Sequence, residues 1–203
     1  MKKLIGILAL AALLAACGDD DDGSTPDAGA SFGTPAQILA YLDGKTYRME
    51  GANIPSHPNG YSEDVNLGQL TQCYVSVNMA IAAGGVMVTS QLGPVDGTTM
   101  SGQVGTCNHG TAAGTPLVFS STAVLIENVE NNGACFDFTV TYTGFAQEGR
   151  GSLSADGRTM TLELYFANQA TNHRCAAGDP GASGVTLNGM AFTGDARQVY
   201  IRQ

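Results

Sequence analysis

The sequence predicts an all-β domain, either a single antiparallel β-barrel or a two-sheet β-sandwich, with about eight to ten strands, one short N-terminal helix and two disulfides. Three observations favour this fold. Apolar and polar side chains alternate along several segments, which is typical of strands with one buried and one solvated face. Asn-Gly and Asp-Gly pairs separate these segments, and such pairs favour tight hairpin turns. The part of the chain beyond residue 31 also holds four cysteines, an even number that is typical of paired disulfides.

The predicted helix lies at the start of this domain. Thr34 suits the N-cap position, because its hydroxyl accepts a hydrogen bond from a free backbone amide, and Pro35 is favoured at the first helical position. Residues with helical propensity follow up to Leu42, and the pair Asp43-Gly44 is typical of a helix end. We therefore expect one short helix at this point.

The clearest strand patterns lie in the segments 75–81, 136–142 and 159–166. In the first, Val75, Val77, Met79 and Ile81 fall on one predicted face, and Tyr74, Ser76 and Asn78 fall on the opposite face. Asp156-Gly157 separates two alternating runs and predicts a hairpin. Further strands are expected over residues 45–50, 86–92, 100–104, 117–127, 151–155, 185–187 with 191–192, and 198–202.

Two glycine-containing segments are predicted to bend the chain. Gly84-Gly85 is expected to turn it between the strands 75–81 and 86–92. The segment 144–151 is rich in glycine but lacks the strand-to-helix setting of a phosphate-binding loop. We therefore expect a bulge or a tight corner over these residues.

The cysteines Cys73, Cys107, Cys135 and Cys175 allow three disulfide connectivities. We favour Cys73–Cys107 and Cys135–Cys175, because each pair brackets a run of predicted strands in a similar way. None of the four has the short Cys-x₂₋₄-Cys spacing of a structural zinc site.

The segment Leu42-Asp43-Gly44-Lys45-Thr46-Tyr47 joins the predicted helix to the first strand and resembles the beginning of lipocalin-like domains. The chain has no tryptophan and so lacks the usual Gly-x-Trp of those domains. The resemblance implies a closed barrel in preference to a sandwich.

The N-terminus is identified as a bacterial lipoprotein signal peptide over residues 1–16. Two lysines precede an apolar run that is too short to span a bilayer, and the run ends in Leu14-Ala15-Ala16-Cys17, which matches the bacterial lipobox. The resemblance implies cleavage before Cys17 and attachment of a diacylglyceride to its sulfur. Two or more acyl chains give a stable membrane anchor, whereas one gives a marginal one.

Residues 17–30 are predicted to be a disordered acidic tether, and residues 31–203 the folded domain. The tether contains a run of four aspartates and no large apolar residue, so it cannot bury enough surface to fold. Gly18 follows Cys17 where some bacteria place the aspartate that retains lipoproteins in the inner membrane. We therefore expect an outer-membrane lipid anchor, with the domain facing the periplasm or the cell surface.

The charge of the chain argues against some partners. Its formal net charge is −9 at pH 7, and no stripe of lysine or arginine is present to contact phosphates. A nucleic-acid partner is therefore not expected. The expected partners are the lipid bilayer, through acylated Cys17, and either a small apolar ligand or a protein of the cell envelope.

The histidines His57, His109 and His173 are the candidate metal ligands. His109 and His173 each lie two residues from a cysteine, so the disulfides that we favour would allow all three imidazoles to meet at one end of the sheet. The alternative is that they are three polar loop residues, because all lie among proline, asparagine, glycine or arginine. Our prediction assigns no metal and no cofactor to the chain.

Three classes of function stay open. A carrier for a small apolar ligand predicts a cavity inside the barrel, whereas a structural or interaction lipoprotein predicts a filled core. An enzyme with an unrecognised site predicts a cleft with clustered titratable groups. The sequence contains neither Gly-x-Ser-x-Gly nor His-Glu-x-x-His, so it favours the two classes that are not enzymes.

Overall fold

The computed structural model describes residues 30–55, 73–97, 105–192 and 196–203. The predicted helix is confirmed as α1, Pro35–Leu42. Thr34 caps it, since its Oγ1 accepts a hydrogen bond of 3.3 Å from the amide of Gln37. The predicted signal peptide, Cys17 and all but the last residue of the predicted tether lie outside the described residues.

The described residues form thirteen strands. Their bounds are β1 Thr46–Glu50, β2 Tyr74–Ala82, β3 Gly85–Leu92, β4 Val95–Asp96, β5 Thr106–Cys107, β6 Ala113–Glu130, β7 Cys135–Tyr142, β8 Phe145–Leu153, β9 Thr159–Phe166, β10 Ala170–Thr171, β11 Thr186–Leu187, β12 Met190–Ala191 and β13 Arg197–Arg202.

Eight of these strands form a closed antiparallel barrel in the order β1-β2-β3-β6-β7-β8-β9-β13. Each barrel strand pairs with the next barrel strand along the chain, and β13 pairs with β1 to close the ring, with Tyr47 opposite Arg202. The short strands form two small sheets, β4-β5 and β10-β11-β12. The predicted all-β fold is therefore confirmed, and of the two predicted architectures it is the barrel.

The strand β6 is longer than the predicted segment 117–127. Its first part pairs with β3, where Met87 lies opposite Ser120, and its second part pairs with β7, where Val124 lies opposite Val140. Strands in a closed barrel are tilted and staggered, so one long strand can have its two neighbours at different heights. The predicted strand 100–104 lies outside the described residues.

The two predicted bends need correction. The first turn is at Ala83-Gly84, both with positive φ, and Gly85 is the first residue of β3. The second predicted bend, over residues 144–151, is wrong, because all but the first of these residues belong to the regular strand β8. A Cβ at Gly151 would lie 2.7 Å from the ring of Phe136, so glycine here allows an aromatic side chain to approach the strand closely.

One end of the barrel, which we call the helix end, is where α1 lies and where β8 turns into β9. Phe32 is fully buried there, and a Cβ at Gly133 would lie 2.6 Å from the Cβ of Phe32. The hydroxyl of Tyr47 donates a 2.7 Å hydrogen bond to the carbonyl of Gly157 in the β8–β9 turn. These contacts hold the residues on either side of α1 against this end of the barrel. We call the opposite end, where β2 and β13 begin, the far end.

Both predicted disulfides are confirmed. Cys73 is bonded to Cys107, with Cα atoms 5.3 Å apart, and Cys135 to Cys175, with Cα atoms 5.8 Å apart. The second bond joins the start of β7 to the segment 172–184, which we call the outer strap.

The outer strap is held to the outer surface of the barrel by a buried ion pair. Arg150 on β8 is fully buried, and its Nε donates a 2.7 Å hydrogen bond to Glu163 Oε2 on β9. The other two nitrogens of the same guanidinium donate to the carbonyls of Gly178 and Ala182, at 2.6 and 2.9 Å. One side chain thus satisfies a carboxylate and two backbone groups of the strap.

We expect Arg150→Met to lower the free energy of unfolding by about 3–5 kcal/mol, because it leaves a buried carboxylate without its counterion. The double variant Arg150→Met/Glu163→Leu removes both charges and should cost less than the single change. Arg48→Met is the matched control, since Arg48 pairs with Glu50 on the exposed surface and such pairs contribute about 1 kcal/mol or less. Urea unfolding measures all three, and a loss from Arg150→Met as small as that from Arg48→Met would contradict the prediction.

Candidate functional site: a cavity inside the barrel

The barrel encloses a cavity of about 260 Å³. Its wall near the helix end is apolar, because the alternating strands direct their hydrophobic side chains inwards. This part of the lining includes Ile81, Val86, Val124, Ile126, Phe136 and Met160. Leu39 and Leu42 of α1 add to it from the helix end.

The strand β8 contributes little side-chain surface to the cavity. Among the residues of β8, the described lining includes Gln147. Gly149 and Gly151 lie on the same face of the strand as Gln147 and carry no side chain. Phe136 and Leu162 on the neighbouring strands lie close to Gly151, where a side chain would collide with both. The glycines that the sequence analysis assigned to a bend therefore shape the interior wall.

The exposed part of the lining marks the mouth of the cavity. Ala40 and Asp43 at the end of α1 are exposed, as are Ala83 and Gly84 in the turn between β2 and β3. Asp43 Oδ1 accepts a 2.7 Å hydrogen bond from the amide of Ala83 and so joins the two sides. The cavity thus opens at the helix end, between this helix and this turn.

Polar side chains line the cavity towards its far end, and we call them the polar floor. Each is less than one tenth exposed: Tyr74, Ser90, Tyr142, Gln147, Gln198 and Tyr200. The hydroxyl of Tyr200 donates a 2.6 Å hydrogen bond to Gln198 Oε1. Hydrogen-bonding groups are therefore concentrated in one part of a lining that is otherwise apolar.

The phenols of the polar floor are uncharged at neutral pH. Burial raises the pKa of Tyr142 to about 12 and raises the pKa of Tyr74 further. Burial also raises the pKa of Tyr200 well above its usual value, and the electrostatic effects of Tyr74 and Tyr142 add to that rise. Each phenol therefore retains its proton and can donate a hydrogen bond.

Charged groups are scarce around the cavity. Within the part of the chain that the structure describes, Asp43 at the mouth is the one carboxylate of the lining, and no lysine, arginine or histidine contributes. The buried charges Asp137, Arg150 and Glu163 and the half-buried Glu148 project from the barrel wall towards the outer strap and form hydrogen bonds there. The cavity therefore suits an apolar, uncharged molecule.

The candidate metal ligand His109 lies beside the first disulfide. Its Nδ1 is 2.7 Å from the carbonyl oxygen of Tyr74 and 3.3 Å from Cys107 Sγ. Ligand atoms of Cys73, Cys107 and His109 lie close together, but the two sulfurs are bonded to each other and are not available as thiolate ligands. His57 lies outside the described residues, so the grouping of three histidines stays a prediction.

His173 lies in the outer strap, next to the ring of Tyr165. It is buried, and neither ring nitrogen has a hydrogen-bond partner among the described residues. Burial lowers its pKa, and the positive charge of Arg174 lowers it further, although Glu148 and Asp137 act in the opposite direction. His173 and His109 are not brought into one group of ligand atoms within the described ranges.

The sequence analysis did not identify the polar floor. It placed Tyr74 on the polar face of its strand, opposite Val77, but the register of β2 shifts between Tyr74 and Ser76, and Tyr74 lines the cavity. A β-bulge of this kind reverses the face on which a side chain lies. The available signal was that Ser90 and Gln147 interrupt the apolar side of their strands. The strand β13 gives no such signal, because its apolar residues Val199 and Ile201 alternate with Gln198 and Tyr200, which line the cavity.

Comparison with known proteins gives no family for the chain. No protein-family model matches it, and neither the curated proteins nor the solved structures gave a significant match.

We expect the protein to lose stability as the pH falls below about 6.5, in part through His173. The pKa of His173 is lower in the folded state than in the unfolded state, so the unfolded chain binds the proton more readily. The contribution of His173 to the free energy of unfolding is therefore complete above the unfolded pKa. It is lost as the pH falls towards the folded pKa. His173→Gln should reduce the loss between pH 7 and pH 5, by at most about 1.4 kcal/mol per pH unit. Urea unfolding at several pH values measures it, and equal slopes for the two proteins would contradict it.

Proposed function

We propose that the chain is a membrane-anchored, extracytoplasmic lipoprotein whose barrel binds a small, mainly apolar ligand. The observation that carries this proposal is the cavity of about 260 Å³, which is apolar through most of its length and opens at the helix end. Ligand sites of this kind combine an apolar wall with a few polar groups that orient the ligand. The barrel interior has both.

The volume of the cavity limits the size of the ligand. A cavity of about 150 Å³ lined by aliphatic and aromatic side chains holds one benzene molecule. By proportion, the cavity described above holds on the order of ten carbon atoms. Each methylene group transferred from water to such a lining contributes roughly 0.8 kcal/mol, so a chain of this length gains useful affinity from its apolar part alone.

The two alternative functions have less support. A structural lipoprotein with no ligand predicts a barrel filled by side chains, whereas this interior contains a cavity of about 260 Å³. An enzyme predicts titratable groups clustered in a cleft. The buried charges of the described wall lie instead under the outer strap, where they form hydrogen bonds with the backbone and with one another.

The membrane anchor is the second part of the proposal and depends on the lipobox and on Cys17. The acidic tether would separate the lipid on that residue from the barrel, which begins beyond residue 30. Among the described residues, no helix is long and apolar enough to cross a membrane. In this arrangement, the acyl chains on Cys17 hold the protein to the bilayer and the barrel carries out binding.

We expect Val88→Phe to weaken binding of the neutral fluorescent compound N-phenyl-1-naphthylamine by tenfold or more, on the order of 1.4 kcal/mol. Val88 lines the cavity, so the larger ring takes up part of its volume. Met87→Phe is the matched control, because Met87 is the adjacent residue of β3 and is 49% exposed. Fluorescence titration measures the affinities, and thermal unfolding checks that both variants are folded. Equal affinity for the two variants, or no binding by the unaltered chain, would refute the cavity as a binding site.

We expect protein extracted from bacterial membranes to begin with an acylated Cys17, and Cys17→Ser to abolish both acylation and cleavage before this residue. Mass spectrometry of the N-terminal peptide measures both changes. Ser24→Ala, in the same tether, is the control and should be processed normally. An unlipidated N-terminus in the unaltered protein would exclude the anchor but would leave the proposed binding function open.

A further inference from the structure

The lining of the cavity has two chemically different parts. The part near the mouth is formed by aliphatic and aromatic side chains, and the polar floor lies at the far end. In ligand sites, a few polar groups in an otherwise apolar lining fix the orientation of the ligand. Their concentration in one part of the cavity indicates that the two ends of the ligand differ.

We infer that the ligand is a medium-chain aliphatic molecule with one uncharged oxygen, a hydroxyl or a carbonyl, at the end that enters first, and that the phenols of Tyr74, Tyr142 and Tyr200 bind this oxygen. The inference rests on the proposed function and extends it, because it names the class of molecule and its orientation. The apolar tail then lies towards the mouth, between α1 and the β2–β3 turn.

The three phenols face a shared space. Tyr200 stands on β13, and its hydroxyl reaches Gln198 on the same strand. Tyr74 and Tyr142, on β2 and β7, also line the cavity, and both act electrostatically on the Tyr200 phenol. The ring of Tyr142 stacks on Phe145, with ring centroids 4.7 Å apart, and this contact fixes its direction.

The oxygen must be uncharged because the polar floor has no charge to balance an ion. Among the described residues of the lining, the single carboxylate, Asp43, lies at the mouth, and no basic side chain is present. A carboxylate or a phosphate at the floor would lose its water without gaining a counterion, which is unfavourable.

The phenols suit such an oxygen because they keep their protons. Burial raises the pKa values of Tyr74, Tyr142 and Tyr200 above their usual range, so all three are uncharged at physiological pH. The Tyr200 hydroxyl donates its one proton to Gln198 Oε1, so its oxygen can accept a hydrogen bond from a hydroxyl on the ligand. Gln147 and Gln198 bring amide groups to the same part of the lining. A hydroxyl group on the ligand can both donate and accept there, and a carbonyl group can accept.

The test is a competition experiment on residues 17–203 with Cys17→Ser, produced without the predicted signal peptide and with both disulfides formed. Bound N-phenyl-1-naphthylamine is displaced at pH 8 by 1-decanol or by decanoate, which have equal chain lengths and differ in charge. We expect 1-decanol to displace the fluorescent compound at a concentration at least tenfold lower than decanoate does. Equal displacement, or stronger displacement by decanoate, would overturn the inference.

Three tyrosine variants test the position of the oxygen. Tyr142→Phe and Tyr200→Phe each remove one floor hydroxyl and should weaken 1-decanol binding by about tenfold, the effect of one lost hydrogen bond, while binding of the fluorescent compound changes less than twofold. Tyr165→Phe is the matched control, because Tyr165 is equally buried but packs outside the barrel against Ala170 and Val185. It should leave both affinities unchanged.

The outcomes separate this inference from the proposed function. If the fluorescent compound does not bind to the unaltered chain, the proposed function fails and the inference fails with it. If it binds but 1-decanol loses no affinity in either floor variant, the cavity binds ligands and the inferred orientation is wrong. If both floor variants lose affinity for 1-decanol and Tyr165→Phe does not, the orientation is supported.

Discussion

The structure depends on the closure of one antiparallel sheet. The contact that closes it is short: β1 and β13 pair at Tyr47 with Arg202 and at Arg48 with Ile201. A backbone hydrogen bond from Gln203 to Thr46 extends it. Because a closed barrel has no free edge strand, every inward side chain faces a single interior, and the residues on that side of each strand determine the size and polarity of the cavity.

Much of the fold follows from local patterns in the sequence. The alternation over residues 136–142 and 159–166 predicts β7 and β9 closely, and Asp156-Gly157 predicts the turn before β9, because one buried and one solvated face impose a two-residue period. The two disulfides also follow, since each pair brackets a run of strands. The strands and the turn depend on neighbouring residues, which the sequence shows directly, and the disulfides depend on where their cysteines fall relative to these strands.

The cavity does not follow in the same way. Its volume depends on which side chains meet across the barrel, and the register of β6 with β3 and β7 determines this. Tyr74 lines the cavity only because a bulge shifts β2 by one position, and the glycines of β8 show their role only beside Phe136. An alternating pattern predicts which face is buried, but it does not show whether that face is filled.

The hydrogen bond between Asp43 and the amide of Ala83 has a consequence for the timing of binding. It spans the entrance, whereas the two disulfides and the buried Arg150–Glu163 pair lie elsewhere in the molecule. Widening the entrance would therefore break this local hydrogen bond and leave the hydrogen bonds between the barrel strands intact. Changes at this position should alter the rates of ligand uptake and release together, with little effect on the equilibrium affinity, so the speed of exchange and the choice of ligand can vary independently.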